Sequence, residues 1–305
     1  MRFACLLAVA AFVPVLPTAA HPLRLAPSGP WDVDYAENSC RLIRLFGDGD
    51  TRVKLGFEST APDDTDMLAV GKVLETQSNE VDARFLPVAG KPFSGTPAKS
   101  VDNRDPVILW PQFSMLTPDA RAKLERMMDE QKRHPDMRPP AISLAEQAYF
   151  HEQRHQFATA ATELEIDVRR DRPVILETGS LGAPIAALDK CSRDSLKDWG
   201  VDPNLQDKIV RPVWPINANA WLFSSDYPPD MVSQGKGSQV NVRLIVDASG
   251  RVTKCTSLSH YDAPEFNRIT CARITDRARF EPAELADGTK VPSYYTRRVI
   301  FQLQQ

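Results

Sequence analysis

An α+β fold in two parts, the first rich in strands, follows from three features of the chain. Apolar and polar residues alternate in short runs between Trp31 and Phe57, and again at 240–246 and 299–303. Helix starts stand at Thr117-Pro118 and Ser143. A stretch holding Pro203, Pro212 and Pro215 separates what precedes it from a compact C-terminal pattern. At 305 residues the chain accommodates two cores. The expected division is a β-rich domain over 21–199, a linker over 200–222 and a smaller domain over 223–305.

Taken in order, Trp31-Asp32-Val33-Asp34-Tyr35 is a first alternating strand. Cys40-Arg41-Leu42-Ile43-Arg44-Leu45 and Val53-Lys54-Leu55-Gly56-Phe57 form a hairpin around Gly47-Asp48-Gly49-Asp50. Further strands are expected at 67–73 and at 107–110, the second within an 80–115 segment crowded with Pro, Gly and Ser. Thr117 is an N-cap with Pro118 at the first helical position, for a helix to about Lys132. A second helix is expected from Ser143 to about Gln156, then strands at 164–168 and 173–176. A helix from Ala183 to Trp199 carries Cys191.

The first twenty residues have the form of an export signal. Arg2 is the positive start, 3–13 are apolar, and Thr18-Ala19-Ala20 is a small-residue cleavage site. Pro14 and Pro17 break the run short of the roughly 20 residues a spanning helix needs. A cleaved signal, a mature start at His21 and a periplasmic address are expected, with an uncleaved membrane anchor as the alternative. In an oxidising compartment Cys40, Cys191, Cys255 and Cys271 are disulfide candidates, with three possible pairings. A net charge of −3 gives no basis for a nucleic-acid or anionic-lipid partner. The balance is mildly basic in 223–305, with 11 Lys+Arg against 9 Asp+Glu, too weak to name a partner.

The C-terminal pattern is more specific. Tyr227-Pro228 precedes Gly235-Lys236-Gly237, then Val240, Val242, Leu244 and Val246 on one strand face. Asp247-Ala248-Ser249-Gly250-Arg251-Val252 follows, then a helix face of Phe266, Thr270 and Ile274. Arg279-Phe280-Glu281-Pro282-Ala283, a turn at Asp287-Gly288 and a last strand with Val299, Phe301 and Leu303 close the chain. This run resembles the C-terminal domain of TonB-family energy transducers, with its YP, G-x-G, VD-x-x-G-x-V and RF-x-PA elements, over about a quarter of the chain.

The resemblance implies binding of an extended segment of an envelope protein, such as a TonB-dependent outer-membrane receptor, as an added strand beside the last strand. By position that edge is about Tyr295 to Gln302, with Tyr227, Pro228, Tyr295, Arg297, Arg298 and Ile300 as binding residues. Arg297 and Arg298 also read as ordinary protection of a sheet edge. Pairing within domains gives Cys40–Cys191 in the first part and Cys255–Cys271 in the second, the latter inferred from the resemblance as much as from geometry. Simple alternation from Val252 puts Cys255 on the face away from the core, so that pair requires a bulge near Thr253-Lys254. A TonB motor also needs a long proline-rich spacer and a Ser-x-x-x-His contact in its membrane helix. Residues 200–222 and 3–20 have neither. The expectation is a binding or scaffold protein without enzymatic activity or cofactor.

A competing reading is chemical. His151-Glu152-Gln153-Arg154-His155 fits HExxH, where two His on one helix face hold zinc and the Glu is general base. Polar Gln153 and basic Arg154 depart from that motif, no third ligand is evident, and an exposed polar helix accounts for the same residues. Val174-Ile175-Leu176-Glu177-Thr178-Gly179-Ser180 is similar to an aspartic-protease loop, but Glu replaces Asp and a second such loop is lacking. A strand and a turn into the next helix explain it. Ser192, Ser195 and His260 have no evident catalytic companions. Tyr294-Tyr295 is a possible binding platform, with strand packing as the plainer reading.

Overall fold

The computed structural model describes residues 21–88, 90–100, 104–134, 137–168, 172–258 and 264–303. The export segment 1–20 and His260 therefore lie outside the described residues.

The N-terminal part is a ten-stranded sheet with three helices. Its strands are β1 Leu23–Leu25, β2 Asp32–Tyr35, β3 Cys40–Phe46, β4 Val53–Ala61, β5 Asp64–Val70, β6 Val81–Leu86, β7 Phe93–Lys99, β8 Pro106–Trp110, β9 Glu163–Asp167 and β10 Val174–Leu176. The spatial order is β1-β10-β9-β6-β7-β8-β5-β4-β3-β2. A bridge from Pro27, just after β1, to Phe46 of β3 brings the two ends of this curled sheet together. Inside lie Phe57, Phe85, Phe93, Phe113 and Phe157, with Phe93 and Phe113 at 4.6 Å between centroids.

The helices form where their caps direct. α1, Pro118–Arg133, starts at its proline, and α2, Leu144–Ala160, has Ser143 Oγ accepting from Glu146 N at 3.2 Å. α3, Gly182–Asp198, is tied to β3 by the Cys40–Cys191 disulfide (Cα–Cα 6.0 Å), one of the expected pairs. Strands β6 and β7 were not legible among the Pro, Gly and Ser of 80–115. Gly95 lies in β7 because a Cβ there would sit 2.5 Å from the Trp110 ring, so a residue that signals a turn is in fact a packing requirement.

Residues 200–222, expected as a linker, are folded. They contain α4 Pro203–Gln206, β11 Ile209–Arg211 and β12 Trp214–Pro215. The C-terminal part adds α5 Pro229–Ser233, β13 Ser238–Val246, β14 Val252–Ser257, α6 Pro264–Arg277, β15 Phe280–Glu281, β16 Ala283–Leu285, β17 Lys290–Val291 and β18 Ser293–Phe301. β11 pairs with β16 and β12 with β15, and Val213 and Trp221 are buried in the C-terminal core. Of the prolines in 200–222, Pro203 starts α4, Pro212 lies between the two short strands and Pro215 ends β12, so the stretch is not an extended spacer. The second core joins Val240, Val242, Leu244 and Val246 of β13 to Phe266 and Ile274 of α6.

Candidate functional site

The C-terminal sheet is three-stranded, ordered β14-β13-β18 and antiparallel throughout. On the β14 side, Leu244 pairs with Cys255 and Ile245 with Lys254, but Val246 pairs with Val252. Thr253 is the extra residue. This bulge turns Cys255 toward α6, where it meets Cys271 (Cα–Cα 5.5 Å), as that pairing required.

On the other side β18 is a sheet edge, and the ladder decides which of its backbone groups face outward. Leu258 N donates to Asn241 O at 2.8 Å, so Asn241 directs its peptide groups to β14. Successive residues alternate. Val240, Val242 and Leu244 therefore face their partners Val299, Arg297 and Tyr295 on β18. Tyr294, Thr296, Arg298 and Ile300 direct their N–H and C=O away from the sheet, where no strand pairs with them among the described residues.

The six residues expected at this edge divide by environment. The Tyr227 ring lies edge-on to Phe266 and Phe301, each 5.5 Å away, and its hydroxyl donates to Lys236 O at 2.7 Å. Pro228 is buried. Tyr295 faces inward against Phe280 and Trp221, 5.2 and 6.1 Å away. Arg297, Arg298 and Ile300 are exposed, Ile300 to 66%. The structure thus presents the last three at the edge and packs the first three behind it.

The surrounding motif residues have structural causes. A Cβ on Gly237 would lie 2.6 Å from Phe301 O, so the second glycine of G-x-G lets the chain pass the end of β18. Gly250 has φ +81° and its Cβ would come within 1.9 Å of Phe280 O. Asp247 Oδ1 accepts from Ser249 N at 2.8 Å and Arg251 N at 3.0 Å, closing that turn. Asp226, beside the Tyr-Pro pair, was not singled out by sequence. Its buried carboxylate accepts from Arg277 Nη1 (2.5 Å) and Phe223 N (2.9 Å), and the Arg273 guanidinium forms an ion pair with it, Nε 2.8 Å away. Those bonds, led by the one from Arg277, hold its pKa below the usual aspartate value.

The opposite sheet face is covered by the N-terminal part. Arg243 is 3% exposed. It donates to Thr60 O (2.7 Å) and Asn38 O (3.1 Å), and its guanidinium lies 3.6 Å from the Trp199 ring centroid. Burial pushes its pKa down to about 10. Tyr294 donates its hydroxyl to Pro62 O at 3.1 Å, and burial raises its pKa. Ile245 packs with Leu196 and Val201. A second grip is Arg138, which donates to Glu281 (2.9 Å), Pro212 O (2.9 Å) and Pro282 O (2.7 Å). The Tyr294-Tyr295 pair is therefore packing, one ring on each face.

The hydrolase candidates are not assembled. His151, Glu152 and His155 are exposed on α2, while Arg154 is turned to Asp189 at 2.6 Å. Among the described residues no group of three His, Cys, Asp or Glu converges as a ligand set. Glu177 pairs with Arg24 (3.1 Å), Ser192 donates to Leu188 O (3.1 Å), and Ser195 to Cys191 O (3.1 Å). Among the described residues no helix is long and apolar enough to cross a membrane.

Residues 224–303 match the family described as Gram-negative bacterial TonB protein C-terminal. The chain carries a TonB-type C-terminal domain, a class that binds and transduces in the bacterial envelope rather than catalyses. No curated protein matches the chain.

Proposed function

We propose that this is a periplasmic binding protein that captures an extended segment of an envelope partner by strand addition to β18. The observation that supports this most is the outward run of peptide groups at Tyr294, Thr296, Arg298 and Ile300, at the end of a three-stranded sheet of TonB type. An added strand finds donors and acceptors there at the ladder spacing, so main-chain bonds supply affinity and alternate side chains supply choice. A TonB-dependent outer-membrane receptor is the partner the domain type favours. The two grips at Arg243 and Arg138 favour a fixed binding head over a lever on a spacer.

Proline at 298 or 300 removes an outward N–H without touching the bonds to β13. Capture of envelope partners in a pull-down should be lost in Arg298→Pro and Ile300→Pro, with circular dichroism unchanged. Full capture by both folded variants would refute edge pairing.

A further inference from the structure

We infer that the segment accepted by β18 is acidic: a short extended stretch with consecutive carboxylates opposite Arg297 and Arg298 and an apolar side chain opposite Ile300. This rests on the strand-addition reading and adds to it the chemistry of the partner.

The free run is short. At its start, Tyr294 is fastened to Pro62 of the β4–β5 turn, and Ser293 is buried. The exposed residues are Arg297, Arg298 and Ile300. An added strand that follows β18 past Thr296 thus meets two consecutive cations, one on each face of the sheet, and then an isoleucine 66% exposed. Cross-strand neighbours lie about 4.5–5.5 Å apart at Cβ, close enough for opposite charges to attract and like charges to repel.

The two arginines are not equivalent. Arg298 shares its face with Tyr294 and reaches the field of Asp66 on β5, where it opposes the upward push that burial gives that carboxyl. Arg297 lies on the other face, with Tyr295 and Val299, and no acidic side chain pairs with it among the described residues. Arg297 therefore has the more available charge and should dominate selection. The same pair disfavours a second copy of this chain as occupant, because β18 paired antiparallel to itself about Arg298 would set arginine against arginine.

The test uses the chain from His21 to Gln305 with fluorescein-labelled decapeptides of alternating Thr and Val. These carry two central Glu, two Gln or two Lys, and binding is read by anisotropy at low and high salt. The Glu peptide should bind about fivefold more tightly than the Gln peptide, and the Lys peptide more weakly than either. High salt should erase most of the difference. Arg297→Glu should reverse the order and Arg298→Glu should change it less. Arg298→Pro should abolish binding of all three. Equal binding of the three peptides would overturn charge selection while leaving strand addition intact, and the arginines would then be edge protection only. Binding by none, or binding that survives Arg298→Pro, would overturn strand addition itself and this inference with it.

Discussion

The guanidinium of Arg243 lies over the ring of Trp199, 3.6 Å from its centroid, and joins the two halves of the molecule. Arg243 belongs to the central strand of the C-terminal sheet and Trp199 to the end of α3. The arginine also satisfies the Asn38 and Thr60 carbonyls of the N-terminal part. A cation desolvated in this way is held by its hydrogen bonds and by the ring face.

Arg243→Ala should therefore destabilise the chain by about 2–4 kcal/mol, since it leaves two carbonyls without their donor and removes the stacked cation. Urea unfolding followed by Trp fluorescence measures this. A loss below about 0.5 kcal/mol would show that the interface does not hold the two parts together.

Gly250→Ala should cost about 2–4 kcal/mol, because its φ is left-handed and the added methyl meets Phe280 O. Ala at Gly288, also at positive φ but with open space around it, should cost about 1 kcal/mol. Equal costs at the two sites would refute the steric account.

Double serine replacement of Cys255 and Cys271 opens a loop with a sequence separation of 16 and should lose about 3 kcal/mol. The Cys40–Cys191 bridge spans 151 residues, for which the same chain-entropy reasoning gives about 5 kcal/mol. Denaturant midpoints of the two double variants, without reductant, test the order.

Asp226 sets part of the acid response. Its folded pKa is depressed, so its contribution is complete above the unfolded value of about 3.9 and is lost as pH falls through the folded one. Asp66 and Asp189 have the opposite sign, because burial raises them and the folded state holds their protons more tightly. Asp226→Asn should lower Tm at pH 7 and flatten its fall between pH 5 and 2. A variant with the wild-type slope below pH 4 would remove Asp226 from the acid transition.

His151→Ala should leave stability within about 0.5 kcal/mol, as expected for an exposed helix position. Stoichiometric zinc in purified protein, lost in this variant, would overturn the binding-module reading in favour of a hydrolase.

Much of the C-terminal domain was legible because its signals are local. The β13 face of Val240, Val242, Leu244 and Val246, the α6 stripe of Phe266, Thr270 and Ile274, and the bulge before Cys255 all follow from spacing or from family pattern. Strand β7 was hidden because Gly95 and Pro97 resemble turn residues, and the 200–222 strands because they pair with residues about seventy positions away. At the edge, sequence proposed six residues together. The ladder alternation and the core separate them into packed Tyr227, Pro228 and Tyr295 and exposed Arg297, Arg298 and Ile300.

By itself the sequence determined the domain type, the disulfide pairing within each part, and the inward face of strands such as β13. Those properties are written in period-two and period-three-to-four spacing, which short-range geometry imposes. The tertiary structure alone decided the fate of the other face. Arg243 and Asn241 alternate with the core residues on the other strand face, and Arg243 is buried because residues near positions 38 and 60 fold back over it. Local periodicity records which residues share a face, while what covers that face depends on contacts between segments some two hundred residues apart.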